Sequence, residues 1–464
     1  MGAGTDREQP SIRESIRILF GASRGYLLVN AANLGDGIAY FGILTLLTLF
    51  MQHDVGFSAS WATRSVGWFT GAVTIFMALG GGVVSDRLGV RRALSYCIAT
   101  LVVGRVLLVV SPELGGSAAV ATGAGLSLLL MAVGEGVIQP ALYSGIKEYT
   151  DRRTETLGYA FLYSIMNVGI AIGGFLSPLI REAWAARVEG RRVLDDPTAG
   201  IAGAFWVFVA VTVLMLLVNL TGFTREVERR DRNVIGGASE LGPFRWREYL
   251  RKLPILDRRF LFFILALLPV RTLFAHQYLT MPDYVTRTMP SEVGARWEWI
   301  NIINPVVIVI FVPLIAALTL RRRVVDMMIV GTTISALCSF LLVPEPELTL
   351  LLLYMLLWSL GEAVWSSRFL EYVADIAPVH RVGIYMGIAG IPWFLAKTTT
   401  GIYAGDVLDA FVPVGGPQRA GTMWLIYGLI ALVTPVSLIA ARRWLERGAS
   451  AAEPEGGSGG RDAA

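Results

Sequence analysis

The feature that most restricts this chain is the recurrence of apolar runs too long for a soluble core. Twelve stretches, near 26–51, 61–84, 93–111, 118–143, 156–180, 201–223, 259–281, 297–320, 325–343, 349–374, 383–407 and 421–443, are each long enough to cross a hydrocarbon layer of ~30 Å as a helix. With 54% hydrophobic and 16% charged residues, the 464-residue chain could not hide so much apolar surface in a water-soluble fold. The runs are continuous and do not alternate with period two over about ten residues, so they fit helices better than the strands of a membrane barrel. The expected fold class is an all-α membrane protein with twelve transmembrane helices.

Charge placement orients it. Lys and Arg concentrate in the termini and the even-to-odd loops, which by the positive-inside rule puts both termini in the cytoplasm of a multi-pass inner (plasma) membrane protein. The loop 181–200 runs against the rule, with Arg181, Arg187, Arg191 and Arg192 facing outward. Cys97 and Cys338 fall within spans and form no disulfide or metal framework. The first 25 residues lack the apolar centre of a signal peptide, and the tail 444–464 reads as disordered. No G-x-x-x-x-G-K-[ST] loop is present, so direct drive by ATP is not expected.

The longest internal polar segment, 224–258, divides the spans six and six. The expected organisation is a cytoplasmic segment 1–25, a six-helix bundle 26–223, a cytoplasmic linker 224–258, a second six-helix bundle 259–443 and the tail. Two such halves with a midplane site between them resemble the major facilitator fold. The loop "GVVSDRLGVRR" after the second span matches that superfamily's G-x-x-x-D-R-x-G-x-R-R pattern at every specified position. By that resemblance Gly82, Asp86, Arg87 and Arg91 serve gating, latching the cytoplasmic side when the transporter opens outward. A tight turn carrying topogenic arginines is the plainer reading of the same residues.

Polar residues at bilayer depth mark function or buried pairing. In "LWSLGEAVWSSRF" Glu362 lies mid-span, with Trp365, Ser366 and Phe369 near its helical face. Arg368 points elsewhere, towards Glu371 or the headgroups. In the first span Asn30, Asn33, Asp36, Gly37 and Tyr40 share a wedge of roughly 120°. That wedge faces either a water-filled interior or a packing network in which Asp36 pairs with a neighbour such as Arg105. Glu135 and Gln139 are spaced i, i+4, as are Tyr159, Tyr163 and Asn167. Arg271, His276 and Gln277 fall in the seventh span and Lys397 in the eleventh.

Three segments carry a closer likeness. "GEGVIQPALYSGIKEYTDRRTETLGYAFLYSIMNVGIAIGG" resembles the fourth-to-fifth helix region of the proton-dependent oligopeptide transporter family. "INIINPVVIVIFVPLIAAL" looks like its eighth helix, and "GEAVWSSRFLEYVADIAPVHRVGIYMGIAGIPWFLAKTTTGIYAG" like its tenth and eleventh. The resemblance implies that Glu362 binds a peptide amino group and couples to protons; Asp36, the acid of the first-span wedge, is the other residue that could change protonation in the cycle. The resemblance places Tyr40, Tyr163, Asn167 and Gln277 with Glu362 in the substrate site, to which the polar faces of the first, fourth and tenth spans add Asn33, Gln139 and Trp365. The family's first-helix E-x-x-E-R is here Asn33-Leu-Gly-Asp36-Gly37, and its fourth-helix lysine is Gln139. Unless Arg271 or Lys397 enters the cavity, cationic or carboxyl-blocked compounds should therefore bind better than ordinary dipeptides.

The function expected is secondary transport, a proton-coupled symport of small peptides or peptide-like solutes by alternating access. Proton-linked efflux of hydrophobic or drug-like compounds is the alternative, and a non-transporting sensor on the same fold is another. No enzyme activity and no cofactor beyond the proton gradient are expected. The partners would be the solute, protons and the lipid bilayer, with no nucleic acid, and the protein would act as a monomer.

Overall fold

The computed structural model describes residues 23–77, 82–149, 155–232, 257–319, 322–376 and 389–450, and among them there is helix and turn but no strand. A helix lies at each of the twelve expected positions. In the first half these are α1 (Arg24–His53), α2 (Ala59–Phe76), α3 (Val90–Val110), α4 (Ser117–Tyr149), α5 (Glu155–Trp184) and α6 (Ile201–Gly222). In the second half α7 comprises Arg258–Ala266 and Leu268–Leu279, and α8 comprises Trp297–Asn301 and Ile303–Leu318. They are followed by α9 (Val324–Leu337), α10 (Leu348–Ile376), α11 (Ile391–Phe411) and α12 (Ala420–Ser450).

Local chemistry sets several starts. Ser23 and Ser58 accept from Tyr26 N and Trp61 N, both at 3.3 Å, and Asp257 accepts from Arg259 N and Phe260 N. These are side-chain caps for otherwise unpaired amides. The break in α7 falls at Leu267, just before Pro269, whose ring cannot continue the hydrogen-bond ladder.

Among the described residues nine helices are long and apolar enough to cross a membrane; α2, α8 and α11 do not qualify. For two of these the reason is where they stand. Helices α2 and α11 pack on each other along the interface between the halves, so they carry Arg64, Lys397, Asp406 and a run of threonines that lipid would not tolerate. Helix α8 is interrupted at Ile302 and packs on α5 and α10. Shielding by protein thus lowers the hydropathy of α2 and α11, whereas α8 is apolar and falls short only in unbroken length.

Buried apolar side chains among the described residues form two large cores, one drawn almost wholly from residues 26–227 and one from 260–445, and a small third of Ala185, Val193, Ala199 and Ala295. Ala275, Leu279 and Ala404 of the second half join the first core and so mark the seam. Across that seam α2 and α11 approach at Gly67 and Gly401: a Cβ on Gly67 would stand 2.6 Å from the Gly401 Cα. Small residues permit such contact between helices.

The polar part of the linker begins as a short helix, Arg225–Asp231, that docks on the first bundle. Asp231 accepts from Gly25 N at 2.8 Å, Glu228 pairs with Arg91 at 2.8 Å, and Val227 is buried. The tail expected to be disordered from 444 is helical as far as Ser450, where it continues α12; its remainder, the rest of the linker and the first 22 residues lie outside the described residues. In the loop motif, Gly82–Leu88 forms a helix; the side chains of Gly82 and Asp86 lie outside the described set, and Arg87 is exposed.

Among the described residues, every hydrogen bond and ion pair that joins the two halves lies in the part distal to the chain termini. Arg181 Nη1 bonds Glu298 at 2.8 Å with both side chains buried, Arg296 pairs with Glu182 at 2.9 Å, and Arg64 with Asp406 at 2.6 Å. Gln52 donates to both oxygens of Asp283, and Asn301 donates to Thr45 at 3.0 Å. The distal end is sealed.

Candidate functional site

Beneath that seal lies a cavity of about 340 Å³, lined by both halves. Leu44 and Leu279 stand at the seal, and Met77 and Gly390 at the opposite limit. The first half contributes Tyr40 from α1, Thr70 and Thr74 from α2, and Tyr163 and Asn167 from α5. The second contributes Phe274 and Tyr278 from α7, Asn304 from α8, Trp358 and Glu362 from α10, and Trp393 and Lys397 from α11. A volume of this size with mostly apolar walls and a few convergent polar groups is what a small-solute site requires.

Glu362 is held from α8. Asn304 Nδ2 donates to Glu362 Oε2 at 2.6 Å and lies 3.3 Å from Ser359 Oγ. No ion pair to Glu362 occurs among the described residues, so its carboxylate is oriented by a neutral donor and keeps an oxygen for another partner. On the facing helix, Asn167 Nδ2 donates to the carbonyl of Tyr163 at 2.9 Å, which leaves its amide oxygen free to accept from a solute.

One turn from Tyr40 along α1 lies a charged cluster drawn from three helices. Arg105 of α3 donates through Nη2 to Asp36 Oδ1 (3.3 Å) and Glu135 Oε1 (2.6 Å), and through Nη1 to Thr212 Oγ1 (2.5 Å). Gln139 reaches Asp36 Oδ2 at 3.5 Å. All three charged side chains are buried. The pairing of Asp36 with Arg105 is the packing network that the first-span wedge allowed, and Glu135 completes it. Two carboxyl groups face one guanidinium, which leaves one negative charge unbalanced unless a proton is held there.

The structure thus brings Tyr40, Tyr163, Asn167 and Glu362 together and places the other four expected residues outside the cavity lining. Asn33 is turned to the Leu162 carbonyl at 2.6 Å, because its helix face packs on α5. Gln139 faces Asp36. Gln277 is spent on Asn301 (3.0 Å) and the Met355 sulfur (3.3 Å). Trp365 packs edge-on against Phe274 at 5.7 Å and is 2% exposed; Trp358, one turn to the other side of Glu362, takes the lining position. Periodicity pointed to Trp365, and packing gave the lining position to Trp358 instead.

The remaining intramembrane polar residues divide into spent and unspent. His276 bonds Thr280 and Tyr403 and stacks on Tyr427 at 3.8 Å, which accounts for both ring nitrogens. Arg368 pairs with Glu371 at 2.5 Å and donates to Thr319 at 2.8 Å. Lys397 enters the cavity, so the condition under which carboxyl-blocked compounds would be preferred is not met. Asn304 was the residue that sequence inspection passed over; it stands beside Pro305 in "INIINPV", where the only signal was an amide in an apolar run.

Comparison with known proteins follows the same lines. The family described as Major Facilitator Superfamily matches residues 29–396. Dipeptide and tripeptide permease B of Photorhabdus asymbiotica subsp. asymbiotica is 24% identical over 467 residues, covering 88% of this chain and 92% of that protein. A variant of the peptide transporter POT, determined in complex with sulfate, superposes with a TM-score of 0.70 at 16% identity, covering 94% of this chain and 99% of that one. A variant of the nucleoside transporter NupG gives 0.69 at 14% identity, covering 90% and 99%. At such identities the solved structures show a shared fold.

Proposed function

The chain belongs to the Major Facilitator Superfamily, whose members are multi-pass membrane transporters, and from that premise we propose that it is a proton-coupled symporter of small peptides or peptide-like solutes. The observation that carries this reading is Glu362: a carboxylate on the cavity wall, held by Asn304, with no cation paired to it among the described residues. An ammonium group is the partner that such a site lacks. The likeness to a dipeptide and tripeptide permease supports the same chemistry.

Alternating access supplies the cycle. In the sealed-distal form the cavity lies on the side of the termini, which the arginine bias makes cytoplasmic in an inner-membrane setting; opening the distal pairs would turn it outward. Coupling would run through two places. Glu362 alternates between an ionised form that binds ammonium and a protonated form that releases it. The Asp36–Arg105–Glu135 cluster holds the second proton, exchanged as the bundles part. The loop residues Gly82, Asp86, Arg87 and Arg91 would latch the cytoplasmic end in the outward form; Arg91 is engaged with Glu228 in the form seen here.

Proton-driven accumulation of a labelled dipeptide in proteoliposomes tests the reading. Uptake driven by an inward proton gradient and abolished by a protonophore is expected. A protein that ignores dipeptides and tripeptides while exporting apolar compounds would instead be the efflux transporter.

A further inference from the structure

The acid end of a peptide-like solute has no partner in the first bundle, where Gly37 and Gln139 stand in place of the arginine and lysine of the related pattern. Two cations of the second bundle are unspent. Lys397 lines the cavity, and its recorded contact is with the Trp393 indole, 5.8 Å from the ring centre. Among the described residues no acceptor lies within hydrogen-bonding distance of its ammonium. Arg271 lies over the same indole at 5.0 Å and over Phe369 at 4.3 Å, fully buried.

Arg271 is short of partners too. It donates one hydrogen bond, to the Ala389 carbonyl at 3.3 Å, and its Nε and Nη2 are left unsatisfied. No acid pairs with it among the described residues. The Ala389 carbonyl belongs to the turn that opens α11, so the guanidinium stands beside the helix end whose unpaired amides add positive potential. Aromatic rings soften the burial of a cation but do not neutralise it. A low-dielectric wall with two cations and no counter-ion attracts an anion.

We propose that Lys397, with Arg271 near the same Trp393 ring, forms an anion subsite that takes the carboxylate of a zwitterionic solute whose ammonium meets Glu362. The proposal rests on the peptide-like reading above and sharpens it. Lys397 makes the contact; Arg271, buried and outside the cavity lining, adds to the positive potential. Glu362 and Lys397 stand on α10 and α11, so one bundle holds both charges of the solute. The resembling family pattern divides them between bundles. Here the first bundle supplies shape, through Tyr40, Tyr163 and Asn167, and its own charges stay with each other.

The test uses the full-length protein in detergent with three probes: alanylalanine, its C-terminal carboxamide, and acetate alone. Competition binding and thermal unfolding are read for wild type, Lys397→Gln and Lys397→Arg. Wild type is expected to prefer the free acid about ten-fold or more, as a charge-assisted hydrogen bond gives. Lys397→Gln should weaken the dipeptide about ten- to a hundred-fold and leave the carboxamide within about two-fold. Lys397→Arg should restore most of the preference. Equal binding of acid and carboxamide by wild type overturns the proposal whatever the variants do, as does a preference that survives Lys397→Gln. Should wild type bind neither peptide, the peptide reading fails, and acetate decides the subsite. Protection against heat in wild type and not in Lys397→Gln keeps an anion site; equal shifts remove it. Acetate protection with equal binding of the two peptides would assign the site to a free anion and defeat the proposal as stated.

Discussion

Asn304 of α8 donates to Glu362 of α10 across 2.6 Å at the cavity wall. A neutral donor orients the carboxylate without satisfying its charge, so the position is poised to take either a proton or a cation. We predict that Glu362→Gln abolishes uphill, proton-driven uptake while leaving the unfolding temperature within a few degrees, since the amide oxygen still accepts from Asn304. Counterflow should fall as well, because the amide cannot neutralise an ammonium. Undiminished accumulation by the variant would take Glu362 out of the mechanism.

Arg105 is bound to Asp36, Glu135 and Thr212, with every member buried. Removing the guanidinium leaves two carboxyl groups together in a low-dielectric interior. Arg105→Met should therefore destabilise the protein by about 3–5 kcal/mol, or fail to accumulate in the membrane. Adding Asp36→Asn and Glu135→Gln removes the uncompensated charge and should recover most of the loss. Thermal unfolding of the single and triple variants checks this. A triple variant no more stable than the single one would show that the cluster contributes through packing alone.

How much of this was legible depends on the distance over which a residue's meaning is set. The apolar runs gave the helices, because the hydrocarbon thickness alone demands their length. Glu362, Tyr163 and Asn167 stood out because each is polar within one helix, on one face. The partners did not. Asn304 is 58 residues from Glu362, and Arg181 is 117 from Glu298; nothing local says that these will meet. The arginines of loop 181–200, which ran against the expected charge bias, find their explanation here. Arg181 is buried against Glu298, and Arg191 pairs with Glu189 and Asp196, so neither acts as a free positive charge. Gln277 was placed in the site by the family resemblance; the structure spends it on Asn301 and Met355, a choice fixed by helix rotation in a packed bundle.

Gly401 and Gly67 set the spacing of α2 and α11. A Cβ on Gly401 would meet the Gly67 Cα at 2.7 Å and the Thr63 carbonyl at 3.0 Å, and both are backbone atoms that cannot swing aside. Gly401→Ala should wedge the helices apart at a cost of about 1–3 kcal/mol to the sealed form. Spin-label distances between the distal ends of α2 and α11 should lengthen or broaden. An unchanged distance distribution would mean that the helices slide to accommodate the methyl group.

Asp54 gives a pH signature outside the spans. Burial, with the Glu189 charge beside it, pushes its carboxyl up from 3.8 to about 7, against the pull of Arg191 and Arg181. The folded protein then holds this proton more tightly than the unfolded chain does. The contribution to stability is greatest below pH 4, declines as pH rises from about 4 to about 7, and is flat above. Asp54 is partly exposed, so the effect is expected at about 1–2 kcal/mol. Asp54→Asn should gain on wild type in thermal stability over that window and match it at pH 4. Parallel stability curves from pH 4 to 8 would refute the assignment.

Arg181 and Glu298 differ from the other cross-bundle ion pairs among the described residues in that both side chains are withdrawn from solvent. Glu298 Oε1 accepts from Arg181 at 2.8 Å and from Ser177 at 3.0 Å; Arg181 also donates to the carbonyls of Ala199, Ala295 and Pro197. One atom is left over, since Glu298 Oε2 has no partner. The pair is thus costly to bury and costly to break on one side only, as a device that closes and reopens requires. In an outward-open form both side chains would be hydrated, and the loss of one would matter little. Glu298→Gln should therefore penalise the sealed form selectively, by about 2–3 kcal/mol, which moves the balance of forms about 30- to 150-fold. Thr45, which accepts from Asn301 just inside the seal, supplies the reporter. In a Thr45→Cys background, a membrane-impermeant maleimide added from the distal side should label Glu298→Gln faster than its parent. The double variant Arg181→Met with Glu298→Leu should return labelling towards the parent, because an apolar pair of similar bulk can seal without a charge to desolvate. Faster labelling in the double variant than in Glu298→Gln would show that the ion pair itself closes the gate; equal labelling in all three would show that the other distal contacts suffice.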